Sequence, residues 1–168
     1  MPLLRPYRHG EDSIPEITRL RHEAYAEWAA RGLRFVATWQ DDAITEKRLT
    51  TGHAFVLESD GRIVGTITTY PSRPQSACPY YHTPGVWSFG QLAVAPSVRG
   101  RGHAARLIRH CEELARAQGA NEMALDTGEG ATRLIRWYER LGYTIVGSMD
   151  WEATNYVSVI LAKRLRPG

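Results

Sequence analysis

The chain of 168 residues has two cysteines, Cys78 and Cys111. That is too few for the disulfide framework that staples small secreted domains. No apolar run approaches the roughly 18 residues of a membrane span. Met1 to Gly10 carries Arg5, Arg8 and His9 and lacks the apolar stretch of a secretory leader. There is no G-x-S-x-G, so a nucleophile elbow is excluded. The six histidines form no H-E-x-x-H. Cys78-x-x-x-His82 offers two zinc-type ligands where a structural site takes four, so no metal is expected. Internal repeats and low-complexity segments are lacking too. These absences predict one cytoplasmic domain over residues 1–168, without membrane contact.

What is present fits a globular core: 43% hydrophobic and 23% charged residues, with 15 Gly and 9 Pro. A chain of this length buries a core without staples. The charge balance leans positive, 21 Lys+Arg against 18 Asp+Glu. The cations are mostly arginine, which suits phosphate geometry. Four of them, Arg99, Arg101, Arg106 and Arg109, fall in a stretch without an acid.

Periodicity and turn chemistry predict the order β-α-α-β-β-β-α-β-α-β-β. Leu3 to Tyr7 reads as a first strand. Ser13-Ile14-Pro15-Glu16 has the form of a capping box ahead of a helical stripe at Ile17, Leu20, Ala24 and Trp28, with Gly32 as the stop. Leu33 to Gln40 has no clear pattern, and Asp41 or Asp42 caps a second short helix. The Asp60-Gly61 turn joins strands His53 to Glu58 and Ile63 to Tyr70. Pro71 to Gly85 is a loop. Val86 to Ala95 is a strand, Gly102 to Gln118 a helix, Glu122 to Thr127 a strand and Ala131 to Leu141 a helix. Tyr143 to Gly147 and Tyr156 to Ala162 close the chain as strands. A helix between two strands implies a parallel crossover inside an otherwise antiparallel set, hence a mixed α/β sheet.

The informative segment is Leu92-Ala93-Val94-Ala95-Pro96-Ser97-Val98-Arg99-Gly100-Arg101-Gly102-His103-Ala104. A strand enters a glycine turn that opens a helix. Free N–H groups there point outward at the positive end of the helix dipole and suit phosphate. Such a turn has three uses. It can serve backbone dihedrals alone. It can be a dinucleotide fingerprint, since Gly100-x-Gly102-x-x-Ala105 fits G-x-G-x-x-[GA]; but too few βα units follow for a Rossmann domain. Or it can cradle another pyrophosphate. No Walker lysine follows the glycines.

Arg99-x-x-Gly102-x-Ala104 matches the [RQ]-x-x-G-x-[GA] signature of the GNAT superfamily of acetyl-CoA-dependent N-acetyltransferases. Leu92 to Pro96 resembles that family's fourth strand. Trp137-Tyr138-Glu139-Arg140-Leu141-Gly142-Tyr143 resembles its Phe/Trp-Tyr-Glu-x-x-Gly-Phe/Tyr ending. The similarity is clear over Trp87 to Gly147 and weak before residue 80. It implies a mostly antiparallel GNAT-like sheet with a central β-α-β acetyl-CoA-binding unit and flanking helices. Acetyl-CoA would lie where the strands at 88–95 and 122–127 splay apart. Its pantetheine arm would pair with backbone of Leu92, Ala93 and Val94, and its pyrophosphate would sit on N–H groups of Arg99, Gly100, Arg101, Gly102, His103 and Ala104. An amine would attack the thioester directly, through a tetrahedral intermediate whose oxyanion a backbone N–H near Val94 stabilises.

Tyr138 matches the family's tyrosine and would protonate the leaving thiolate, its reference pKa being about 10. By periodicity alone it is a packed core tyrosine, on a stripe with Leu134, Ile135 and Leu141. Two departures stand out. Many members carry Asn seven positions before this tyrosine, where this chain has Ala131; only a backbone contact to the pantetheine region is then left. Many also place a glutamate base on the fourth strand, and Val86 to Ala95 has no carboxylate. His82, Glu23, Glu27 and Glu129 are substitutes, and the base stays unassigned.

The expected acceptor is a small-molecule amine, gripped by some of Tyr25, Trp28, Trp39, Tyr80, Tyr81, Trp87, Trp151 and Tyr156. Alternatives are a protein amine, an aminoacyl-tRNA, or no acceptor at all in a non-catalytic acyl-CoA-binding module. Nucleic acid is disfavoured because no separate basic stripe with interleaved aromatics appears. Many members of the family dimerise, so a homodimer is compatible with the sequence.

Overall fold

One crossover and a run of antiparallel pairings decide the sheet. The computed structural model describes residues 1–165. Among the described residues, seven strands lie in the order β1-β2-β3-β4-β5-β7-β6. They are β1 (Leu3–Pro6), β2 (His53–Ser59), β3 (Arg62–Tyr70), β4 (Val86–Val94), β5 (Glu122–Gly128), β6 (Thr144–Met149) and β7 (Ser158–Arg164). The helices are α1 (Ile14–Ala30), α2 (Asp42–Thr50), α3 (His103–Ala117) and α4 (Thr132–Arg140). Only β4 and β5 pair in parallel, joined through α3. The element order and the mixed, mostly antiparallel sheet match the sequence expectation.

Local chemistry explains most boundaries. Asp60 and Gly61 take φ values of 51° and 73°, the left-handed pair that a two-residue hairpin turn needs. Asp41 caps α2 by accepting from the Ile44 N–H at 2.9 Å. Gly119 and Gly142 follow α3 and α4 with φ of 85° and 101°. The capping box forms only by half. Ser13 accepts from the Glu16 N–H at 3.2 Å, but the Glu16 carboxylate turns away to accept from the Ile63 N–H at 2.8 Å. It thereby ties α1 to β3 instead of capping its own helix. The segment Leu33 to Gln40 contains a 3₁₀ turn, Val36–Thr38.

Strand alternation divides the interior into two layers. On β2, Ala54 and Val56 face α1 and α2, against Ile17, Leu20 and Leu49. Phe55 and Leu57 face the opposite way, with Leu107, Ile108 and Cys111 of α3 and Ile135 and Tyr138 of α4. Arg5 on β1 holds the N-terminal turn, donating to Asp12 at 2.7 and 2.9 Å and to Glu58 at 2.7 Å. Among the described residues, no helix is long and apolar enough to cross a membrane.

Candidate active site

The register of β4 with β5 runs only from Val86/Glu122 to Ser88/Ala124. Beyond that the strands part. Opposite β3, Thr66 pairs with Ala93 and Thr68 with Gly90, so β4 carries one extra residue there. Gln91 sits in this bulge with φ of 60°, a conformation rarely adopted by a non-glycine residue. Arg21 of α1, with no exposed surface, donates to the Gln91 side-chain oxygen and pins it. Burial lowers the Arg21 pKa to about 9.

A cleft of about 510 Å³ opens between the end of β4, α1, the glycine turn with the start of α3, and α4. It brings together Leu92, Ala93, Val94, Arg99, Gly100, Gly102, His103, Ala104 and Tyr138. Gly100 and Gly102 have φ of 77° and 79°, and a Cβ at either would meet nothing within 4 Å. Glycine is needed there for its dihedrals, and the space over the backbone is open. No side chain caps α3, so its first N–H groups stay free for a ligand. This donor set fits a pyrophosphate.

Other sequence candidates lie elsewhere. Arg101 is exposed and does not line the cleft; Ala131 is fully buried beneath α4. The Arg99 guanidinium turns to α1, donating to the Ala24 carbonyl at 2.5 Å and to Glu27 at 3.3 Å. Arg106 donates to the Pro2 carbonyl at 2.6 Å. The cationic rim is instead built by Arg31, Arg133, Arg136 and Arg140, around a hollow next to the cleft. The Leu92 carbonyl already accepts from the Tyr25 hydroxyl at 2.6 Å.

A second cavity, about 310 Å³, lies across β4. It shares Tyr25, Leu92 and Tyr138 with the first. Tyr138 is 5% exposed and packs against Phe89, Trp137 and Tyr143. Burial holds its pKa well above that of an ordinary tyrosine. Its hydroxyl, without a hydrogen-bond partner among the described residues, stays protonated, and the residue lines both cavities.

The second cavity also contains a carboxylate, Asp126 on β5. It accepts from the Tyr81 hydroxyl at 2.5 Å and from the Trp151 indole N–H at 2.9 Å. Burial raises its pKa, against the pull of those donors and of the nearby Arg73 and Arg48. A carboxylate so raised is a better proton acceptor near neutrality. Sequence reasoning missed it; the available signal was an acid following the apolar run Met123-Ala124-Leu125 within a strand. Glu23, Glu129 and His82 are exposed and line neither cavity. Glu27 lines the first, but its pKa is lowered, chiefly by the hydrogen bond from Arg133. Of the aromatic candidates, Tyr25, Trp151 and Tyr156 line the second cavity, and Trp28 lines the first. Trp87 is buried core and Trp39 is exposed. Among the described residues, no group of three or more His, Cys, Asp or Glu is placed to hold a metal ion.

A cleft over a glycine turn, sharing Tyr25, Leu92 and Tyr138 with a second pocket, is an arrangement that suits an acyltransferase of the kind the motifs implied. Residues 14–143 match the model of the Acetyltransferase (GNAT) family, and the chain belongs to that family. It is 30% identical over 158 residues to the S-(2-succino)cysteine N-acetyltransferase of Bacillus subtilis (strain 168), covering 93% of each chain. It is 27% identical over 160 residues to the S-alkylcysteine N-acetyltransferase of the same organism, covering 93% of this chain and 86% of that one. The fold matches a GNAT family acetyltransferase from Elizabethkingia anophelis with acetyl-CoA bound, at TM-score 0.67 and 14% identity over 98% of both chains. The protein is thus an enzyme of the N-acetyltransferase class.

Proposed function

We propose that the protein moves an acetyl group from acetyl-CoA to the primary amine of a small molecule. The observation that carries this is that Tyr138 lines both cavities, the cleft over the glycine turn and the pocket across β4. Bound acetyl-CoA supplies a thioester whose carbonyl carbon the amine attacks. Gly100, Gly102, His103 and Ala104 hold the phosphates through backbone N–H groups, and Leu92 to Val94 hold the pantetheine arm. An N–H near Val94 stabilises charge on the carbonyl oxygen. Asp126, directly or through a water, takes the proton from the amine. Tyr138 gives a proton to the leaving sulfur. A second cavity of about 310 Å³ suits a small molecule better than a protein segment.

S-substituted cysteines are the first acceptors to assay, because two relatives are named for them. Thiol release from acetyl-CoA is measured over a panel of amines, amino acids and peptides. The expected result is amine-dependent release with the mass gain of one acetyl group on the acceptor. Release no faster than hydrolysis with every amine would overturn the proposal.

A further inference from the structure

We propose that the acceptor carries a carboxylate as well as its amine, and that Arg48 and Arg73 clamp that carboxylate. This rests on the acetyltransferase reading and adds the substrate class. Arg48 comes from the last turn of α2 and Arg73 from the loop after β3, yet both line the second cavity. Two other partly buried cations have carboxylate partners: Arg5 has Asp12 and Glu58, and Lys163 has Glu112. Among the described residues, neither Arg48 nor Arg73 forms an ion pair.

Arg73 is held in place but not satisfied. Its guanidinium carbon lies 4.2 Å from the Tyr70 ring centroid and 5.1 Å from that of Tyr81. One terminal nitrogen donates to the Ser88 hydroxyl at 3.3 Å, while Nε is buried without a partner. Behind the pocket, fully buried Arg21 also has Nε and Nη2 unpartnered, and its remaining nitrogen holds Gln91. The one carboxylate lining the cavity, Asp126, spends its two oxygens on Tyr81 and Trp151. Three guanidinium groups therefore face or underlie a pocket with one acid. Partly buried cations that outnumber the nearby carboxylate favour a further anion, and arginine's planar fork matches a carboxylate. A carboxylate on Arg48 and Arg73 leaves an adjacent amine to face Asp126 and Tyr138. Phe35, Trp151 and Tyr156 then enclose the acceptor's apolar part.

The test compares S-benzyl-L-cysteine, its primary amide and S-benzylcysteamine, together with the common amino acids and their decarboxylated amines. With wild-type enzyme and acetyl-CoA, the carboxylated member of each matched set that reacts is expected to show kcat/KM at least a hundredfold higher. In Arg73→Gln and Arg48→Gln, KM for the best amino acid is expected to rise at least tenfold, with KM for acetyl-CoA unchanged. Equal or faster acetylation of the uncharged amines overturns the clamp while leaving the acetyltransferase reading intact. An unchanged amino-acid KM in a folded variant does the same. Acetylation of no amine at all overturns both. If a variant fails to fold, the wild-type comparison decides alone.

Discussion

Replacing Tyr138 with phenylalanine separates chemistry from packing. The ring contacts Phe89, Trp137 and Tyr143 at centroid distances of 6.2, 5.0 and 6.3 Å, and phenylalanine keeps all three. Loss of the hydroxyl strands no protein donor or acceptor, so stability should change by less than about 1 kcal/mol. The effect on turnover follows from the leaving group. The cysteine thiol, taken as a guide to the leaving thiol, has a reference pKa of about 8.5, and burial holds Tyr138 well above 10. The proton therefore moves uphill, and the thiolate leaves tolerably well unaided. General acids contribute roughly 10²–10⁴-fold in rate, and so good a leaving group sets the loss at or below the lower end of that range. The expected fall in kcat is roughly ten- to a hundredfold, about 1.4–2.7 kcal/mol of barrier. Thiol release under saturating acetyl-CoA measures it, with urea midpoints as the control for folding. Turnover within twofold of wild type in a folded variant would refute the acid assignment.

Asp126→Asn removes the proposed base. Burial raises the Asp126 pKa, so wild-type activity should fall as pH drops through that raised value and the carboxylate is protonated. The variant should lose roughly 10²–10⁴ in kcat/KM together with that acidic limb; a pH–rate profile with the same limb would place the base elsewhere. Gly102→Ala puts a side chain at φ of 79°, a strain of about 1–2 kcal/mol. Thermal midpoint should drop, and the stabilisation that added acetyl-CoA gives should shrink; an unchanged shift on adding acetyl-CoA would count against the cradle. Asp12 has its pKa lowered, first by the hydrogen bond from Arg5. That pairing contributes stability above the unfolded carboxylate value of about 3.9 and loses it as pH falls through the lower folded value. Asp12→Asn should therefore cost about 1–3 kcal/mol at pH 7 and progressively less towards pH 3, read by urea unfolding at both.

Local physics was legible in the sequence. Caps, glycine stops and the Asp60-Gly61 turn act between residues a few positions apart, so the element order could be read before any fold was known. The open glycine turn was legible for the same reason, because a strand, a glycine turn and a helix start are contiguous in the chain. Tyr138 was legible through its motif, although its periodicity alone made it a core residue. In the structure its ring packs in the core and the residue lines both cavities.

The proposed acceptor pocket depended on tertiary structure. Arg48, Arg73, Asp126 and Trp151 come from α2, a loop, β5 and the β6–β7 connection, and only the sheet order brings them to one cavity. Their individual surroundings in sequence are unremarkable. The arginines near the glycine turn show the converse. Clustered in sequence, they disperse in space, because successive positions on a turn and helix point in different directions. Arg99 goes to Glu27, Arg106 to Pro2 and Arg101 to solvent. The chain's sequence determined that a strand, a glycine turn and a helix start would present free N–H groups suited to phosphate. Its tertiary structure decided which charges line the second cavity, since charge position across a sheet is set by strand order and not by chain order.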